Sequence, residues 1–185
     1  MDREAKIPGA LESLGPISGR DVVLLDGSTV WNAERLAESG ARVTSITTDR
    51  LAEADPPLAD GSADVLVVAW SALRDPKLAG LVAAERLLRP GGRLLVIQDY
   101  GRDDVSRLYG PRPEYNEWSR RDGPFLGNGF KVRVVHSWWT FDSLDETREF
   151  LVDGFGDAGE RLGAGLTRPR LSYNVAVYHR SFDAG

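Results

Sequence analysis

Few residues in this chain are equipped for chemistry, and most of them are carboxylates. There is no cysteine, so no thiolate nucleophile, no disulfide framework and no thiolate-bound metal is expected. With only two histidines, His136 and His179, a multi-histidine metal site is not expected either. What remains is a set of polar residues placed just after apolar runs. Asp26 follows Asp21-Val22-Val23-Leu24-Leu25, Thr47 closes the run that begins at Arg42, with Asp49 two residues on, and Asp99 follows Arg93-Leu94-Leu95-Val96-Ile97-Gln98. In open α/β sheets ligands bind outside the C-terminal ends of the strands, which is where such residues would stand. Asp26 has two readings there: acceptor for the amino group of an amino-acid-like ligand, or a capping and turn residue. Asp99 is the one general-base candidate in its position. His136 reads as a satisfied structural histidine and His179 as a solvated one.

A second group lies between Asp99 and Gly129, where Arg102, Arg107, Arg112, Arg120 and Arg121 interleave with Tyr100, Tyr109, Tyr115 and Trp118. Three roles are open for it. It can be a lid for an acidic substrate, a nucleic-acid contact built on stacking and phosphate pairing, or a partner-binding loop. In the last case the arginines pair locally with Asp103, Asp104, Glu114, Glu117 and Asp122. The near balance of acids and bases makes nucleic acid the weakest option and favours local pairing.

These residues are positioned by alternating strands and helices. Asp21–Leu25 has the continuous apolar pattern of a buried parallel strand. A helix is expected over Trp31–Ser39, capped by Ser28 or Thr29 and ended by Gly40. The β-branched run Arg42–Thr47 is the next strand, and Leu51–Ser62, with Pro56, Pro57 and Asp60-Gly61, is connection. Ala63–Trp70 is the strongest strand. Asp75-Pro76 then opens a helix carrying Leu78, Leu81, Val82 and Leu88, stopped by Arg89-Pro90-Gly91-Gly92 before the strand Arg93–Gln98. A short helix is expected near Asp104–Leu108 and a strand over Phe130–Trp139. The capping box Ser143-Leu144-Asp145-Glu146 starts a helix running to Leu151 or beyond, and Leu171–Tyr178 is the last strand. The order implies a mostly parallel sheet covered on both faces.

Two strings resemble one superfamily. Asp60-Gly61-Ser62-Ala63-Asp64-Val65-Leu66-Val67-Val68 is similar to the fourth strand of class I S-adenosylmethionine-dependent methyltransferases. Ala84 to Val96, with Pro90-Gly91-Gly92 between helix and strand, resembles that family's helix, turn and fifth strand, and is the more specific match. The order of elements agrees over about residues 20–180, and the motifs are close only from Asp60 to Val96. The resemblance implies a Rossmann-like α/β/α three-layer sandwich with a C-terminal antiparallel hairpin, and S-adenosylmethionine as cofactor. It places Asp26, Gly27 and Ser28 in the cofactor loop and Thr47 or Asp49 at the ribose hydroxyls. Asp55 falls near the adenine amino group, Trp70 forms a cleft wall beside Ser71, and Asp99 and Tyr100 face the acceptor.

The loop Asp26-Gly27-Ser28-Thr29-Val30-Trp31-Asn32 departs from the family's glycine-rich pattern. Without gaps, Asp26, Ser28 and Val30 replace three glycines; with a two-residue deletion, Asp26 and Gly27 match the family's acid and glycine. A β-branched residue held at positive φ costs about 1–2 kcal/mol, so two such defects weaken binding about a hundredfold. Trp31 either plugs the cofactor space or stacks on a base. The family's short third strand has no clear counterpart.

Composition sets the remaining expectations. A chain of 185 residues, 42% hydrophobic and 28% charged with net charge −5, reads as one globular, cytoplasmic domain over residues 1–185. Neither a membrane span nor a secretory leader is expected. Two functions follow from the resemblance. One is methyl transfer to a small-molecule acceptor; the other is a methyltransferase-like subunit that has lost its cofactor and acts in regulation or complex formation with a protein partner. A homo-oligomer is compatible with either. A nicotinamide-dependent dehydrogenase ranks third, because the Gly-x-Gly-x-x-Gly turn it needs is absent.

Overall fold

The computed structural model describes residues 6–27, 33–51, 58–70, 77 and 79–182. Six strands form one sheet: β1 (Asp21–Leu25), β2 (Arg42–Ile46), β3 (Ala63–Ala69), β4 (Leu88–Asp99), β5 (Lys131–Thr140) and β6 (Arg170–Ser181). Their spatial order is β2-β1-β3-β4-β6-β5. The first four run parallel, and β6 enters antiparallel between β4 and β5. This is the expected mostly parallel α/β sheet with an antiparallel C-terminal pair.

Helices cover both faces. On one side α1 (Lys6–Ser13), α2 (Ala33–Ala37), α5 (Asp104–Tyr109) and α7 (Leu144–Ala164) share an apolar cluster with Val22, Leu24, Val65, Val67, Leu95 and Ile97. On the other, α3 (Thr48–Leu51), α4 (Ala79–Glu85) and α6 (Pro113–Trp118) pack on Val23, Leu25, Leu66, Val68, Leu94 and Val96. Odd and even positions of β1, β3 and the Leu94–Ile97 part of β4 thus feed different cores, so these central runs must be apolar on both faces.

Several elements differ from the sequence-based expectation, the short helix α3 among them. Helix α1 was not foreseen; its Ile7, Ala10 and Leu11, at i, i+3 and i+4 spacing, are buried against the sheet. Helix α4 ends at Glu85, and Leu88 together with Pro90-Gly91-Gly92 belongs to β4. The turn residues survive inside a strand because the register shifts between Ala63 and Val65, looping out the bulge. Gly92 is required there, since a Cβ would stand 2.7 Å from the Arg89 carbonyl oxygen. Helix α6 was also unforeseen, although Pro113 at its first turn is a usual opening signal. His179 lies half-buried in β6 rather than solvated, and its ordinary pKa is lowered by burial and by Lys131 and Arg93.

Other local signals hold. Gly40, at φ +83°, closes the turn after α2, and Ser143 caps α7 by accepting from the Glu146 amide. The Glu146 carboxylate reaches back to the Asp142 amide at 2.8 Å, one residue earlier than a standard capping box. Helix α7 runs to Ala164 through a break at Gly156. Ser28, Thr29, Val30, Trp31, Asn32, Asp55, Pro56, Pro57, Ser71, Asp75, Pro76 and Leu78 lie outside the described residues. Among those described, no strand lies between β2 and β3, no helix is long and apolar enough to cross a membrane, and no cluster of acids and histidines suits a metal ion.

Candidate functional site

Backbone strain concentrates at one edge of the sheet. Among the described residues, three that are not glycine adopt positive φ: Asp26 at +52°, Trp70 at +48° and Arg102 at +59°. Each stands just past the C-terminal end of a parallel strand, β1, β3 and β4 respectively. Left-handed backbone costs an L-residue about 1–2 kcal/mol, more for a bulky indole, and such strain tends to persist where a site needs a particular side-chain direction.

At Trp70 the direction has a visible result. Its indole Nε1 donates to Asp99 Oδ1 at 2.8 Å. The same oxygen accepts from the Tyr173 hydroxyl at 2.6 Å, and Oδ2 accepts from the Tyr115 hydroxyl at 3.3 Å. One carboxylate thus gathers donors from the ends of β3 and β6 and from α6. Both phenols hold their protons: burial and the adjacent Asp99 charge push Tyr115 up to about 12 and raise Tyr173 further. Three of the roughly four acceptor positions of the carboxylate are used, so Asp99 is an oriented acceptor with one position left for a ligand. A small cavity of about 10 Å³ lies against Asp99, Gly101, Tyr115 and Tyr173.

The segment after β4 is held in place by the two acids that follow. Asp103 is buried and caps α5 through the Ser106 amide at 2.7 Å, while its other oxygen accepts from the Asn174 amide at 2.8 Å. Asp104 Oδ2 accepts from the Ser172 amide and hydroxyl at 2.8 and 2.6 Å. The loop is therefore stitched to β6, and Gly101 lets Tyr115 approach closely: a Cβ there would meet its ring at 2.6 Å.

The expected cofactor edge is a second arrangement. Asp26 is turned toward the end of β2, where Oδ1 accepts from the Thr48 amide at 2.8 Å and Oδ2 from the Thr48 hydroxyl. It caps α3, the plainer of its two sequence readings. Gly27 and Thr47 line a cavity of about 310 Å³ with Ala33, Ser45, Ile46 and Arg50. Thr47 is exposed at the end of β2; Asp49 is exposed on α3 and does not line this cavity. Trp70 lies instead with Asp99, at the ends of β3 and β4. Ser28 and Asp55, as noted, are outside the described residues.

Local pairing accounts for only part of the arginine segment. Arg107 pairs with Asp104 at 3.2 Å and Arg120 with Asp122 at 2.7 Å. Arg102 and Arg112 have no carboxylate partner among the described residues and lie over the rings of Tyr100 and Tyr109, at 5.7 and 5.4 Å. Asp103 serves as a cap. His136 is exposed, with Nδ1 2.8 Å from Asn174 Oδ1.

Reasoning from sequence missed Tyr173, and it placed Tyr115 in the arginine and aromatic segment without its bond to Asp99. Tyr173 shares a strand face with the apolar Leu171 and Val175 and reads as core; Tyr115 lies in a stretch with no periodic pattern. The available signal was Asp99 itself, a carboxylate on an otherwise apolar strand that needs donors once half-buried.

No family model and no curated protein sequence matches this chain. Solved structures do. A candidate type II methyltransferase from Anaeromyxobacter dehalogenans superposes with a TM-score of 0.56 at 16% identity, over 96% of this chain and 97% of that one. A SAM-dependent methyltransferase from Aquifex aeolicus gives 0.50 at 17% identity, over 96% and 93%. At these identities the likeness concerns the fold.

Proposed function

We propose that this chain, which has the class I S-adenosylmethionine-dependent methyltransferase fold, transfers a methyl group from that cofactor to a small acceptor. The observation supporting this reading is the gathering of the three strained residues, the cavity at Gly27 and Thr47, and the Asp99 cluster on one sheet edge. That is the edge where open α/β sheets take ligands.

The residues fit the nucleoside end of the cofactor. The cavity of about 310 Å³ at the ends of β1 and β2 falls in the range of small-ligand sites. Within it the Thr47 hydroxyl would hold a ribose hydroxyl, and Gly27 offers no side chain to obstruct approach. The bound cofactor would supply an electrophilic methyl group. The chain's own part is then proximity and orientation, which can contribute several kcal/mol without a dedicated catalytic group. Asp99, fixed by Trp70 and Tyr173, would accept a hydrogen bond from the acceptor's hydroxyl or amine and direct its lone pair toward the cleft.

One observation favours a second reading, a subunit that no longer uses the cofactor. Both oxygens of Asp26, the expected receptor for the cofactor's amino group, already bond Thr48. Isothermal titration with S-adenosylmethionine and S-adenosylhomocysteine separates the two. Heat of binding at micromolar to low-millimolar ligand, weakened by Thr47→Val, supports methyl transfer; no binding and no thermal stabilisation at millimolar ligand refutes it.

A further inference from the structure

A cavity larger than the one at Gly27 and Thr47 lies away from the cofactor edge. It has a volume of about 760 Å³ and is lined by Arg102, Arg107, Arg112, Pro111, Pro113 and Tyr115, among others. We infer that it binds a small organic acid, a carboxylate or phosphate ester carried on an apolar body, and that this acid is the substrate presented to Asp99. Naming it as the methyl acceptor rests on the methyl-transfer reading; acid binding does not.

Three arginines line one cavity whose lining contains no acid. The chain as a whole is net negative, so this is a local reversal of charge. Only Arg107 has a carboxylate, Asp104, and that carboxylate is shared with Ser172. Arg102 and Arg112 are steadied by the faces of Tyr100 and Tyr109. A guanidinium resting on a ring by its face keeps its N–H edge for other partners, and that planar edge matches the two oxygens of a carboxylate or phosphate. Pro111, Pro113 and Tyr115 supply apolar wall for the rest of the ligand.

Position strengthens the assignment. Tyr115 and Ser106 line this cavity and also the small one against Asp99. An acid held by the arginines would extend along Tyr115 toward the one open position of the Asp99 carboxylate. The left-handed turn at Arg102 aims its side chain from the end of β4, and the Asp103 and Asp104 bonds to β6 make that turn rigid. A small molecule is favoured over nucleic acid, because Asp104, Glu114, Glu117 and Asp122 would repel an extended phosphate backbone.

The test is calorimetric titration of the full chain with phenyl phosphate, benzoate and benzyl alcohol at constant ionic strength. Phenyl phosphate or benzoate should bind at about millimolar or tighter, and neutral benzyl alcohol at least tenfold more weakly. The tighter of the two acids identifies phosphate ester or carboxylic acid as the natural class. Arg102→Gln and Arg112→Gln should each weaken acid binding by roughly tenfold, while Arg120→Gln, outside the cavity, leaves it unchanged. Thermal melts check that the variants fold. The inference is overturned if neither acid binds, if all three variants behave alike, or if oligothymidylate binds more tightly than phenyl phosphate. Titrating S-adenosylhomocysteine into the same protein keeps the questions apart: acid binding without cofactor binding removes the methyl-transfer reading alone.

Discussion

The Asp99 cluster permits a quantitative test. Tyr173→Phe removes one hydroxyl and leaves the ring, so no cavity larger than an oxygen is made. The lost bond is short, 2.6 Å, its donor is buried, and its acceptor is a carboxylate. Hydrogen bonds to charged groups contribute about 1.5–3 kcal/mol, and here Trp70 remains on the same oxygen, so about 2 kcal/mol is expected. For a chain of this size that lowers the melting temperature by about 4–8 °C. Tyr115→Phe, whose bond is 3.3 Å and half-exposed, should cost less than about 1 kcal/mol. Urea denaturation of wild type, Tyr173→Phe, Asp99→Asn and the double variant forms a cycle that isolates the pair. A coupling of about 1–2 kcal/mol is expected between groups in direct contact. A coupling below about 0.5 kcal/mol would refute the view that this carboxylate is an anchor of the sheet edge.

Two further outcomes follow from the backbone and from titration. Gly101→Ala forces an L-residue to φ +78° and drives its Cβ into the Tyr115 ring, so urea denaturation should show a loss of about 2–5 kcal/mol. Gly129→Ala, at φ +81° and ψ +6° with its nearest neighbouring atom 4.0 Å away, should cost only about 1–2 kcal/mol; equal losses would show that Tyr115 moves aside freely. His179 is lowered below its usual value chiefly by burial, so the unfolded chain takes up its proton first as pH falls. Stability should therefore decline as pH drops below about 6.5 until the folded-state value is reached, and His179→Gln should flatten that part of the urea-midpoint profile. An unchanged slope in the variant would place the titration elsewhere.

The two cavities divide the work of the proposed reaction between separate elements. Under that proposal cofactor contacts would come from the ends of β1 and β2, while the arginines proposed to bind the acid, and Asp99, would come from the end of β4 and the segment beyond it. The linings of the two cavities share no residue. Asp26, by its bonds to Thr48, keeps its structural role whether or not a ligand arrives.

Local pattern in the chain was enough for the strands and for several stops and caps. Val22–Leu25 and Val65–Ala69 are apolar on both faces because each face meets its own helical layer, and a run of that kind states its burial without help from the rest of the fold. Gly40 and Ser143 work the same way, since a positive φ or an orphan amide is satisfied within a few residues. The Pro90-Gly91-Gly92 string was legible as a turn but not as part of a strand, because the bulge exists only by pairing with β3. What only the tertiary structure decided is the company kept by polar groups. Asp99 meets Trp70, Tyr115 and Tyr173 across 29, 16 and 74 residues of chain. Those contacts arise because β6 enters antiparallel beside β4, setting Asp99 opposite Val175 and bringing Tyr173 within reach of its carboxylate. Likewise Arg102 and Arg112 look, in sequence, like bases amid enough acids to neutralise them. In the fold, Asp103 is spent on a helix cap and Asp104 on β6, and these two arginines are left lining a cavity. A carboxylate near an arginine in sequence has less to offer it once a buried backbone amide claims one of its oxygens, and which amides are buried is settled by packing.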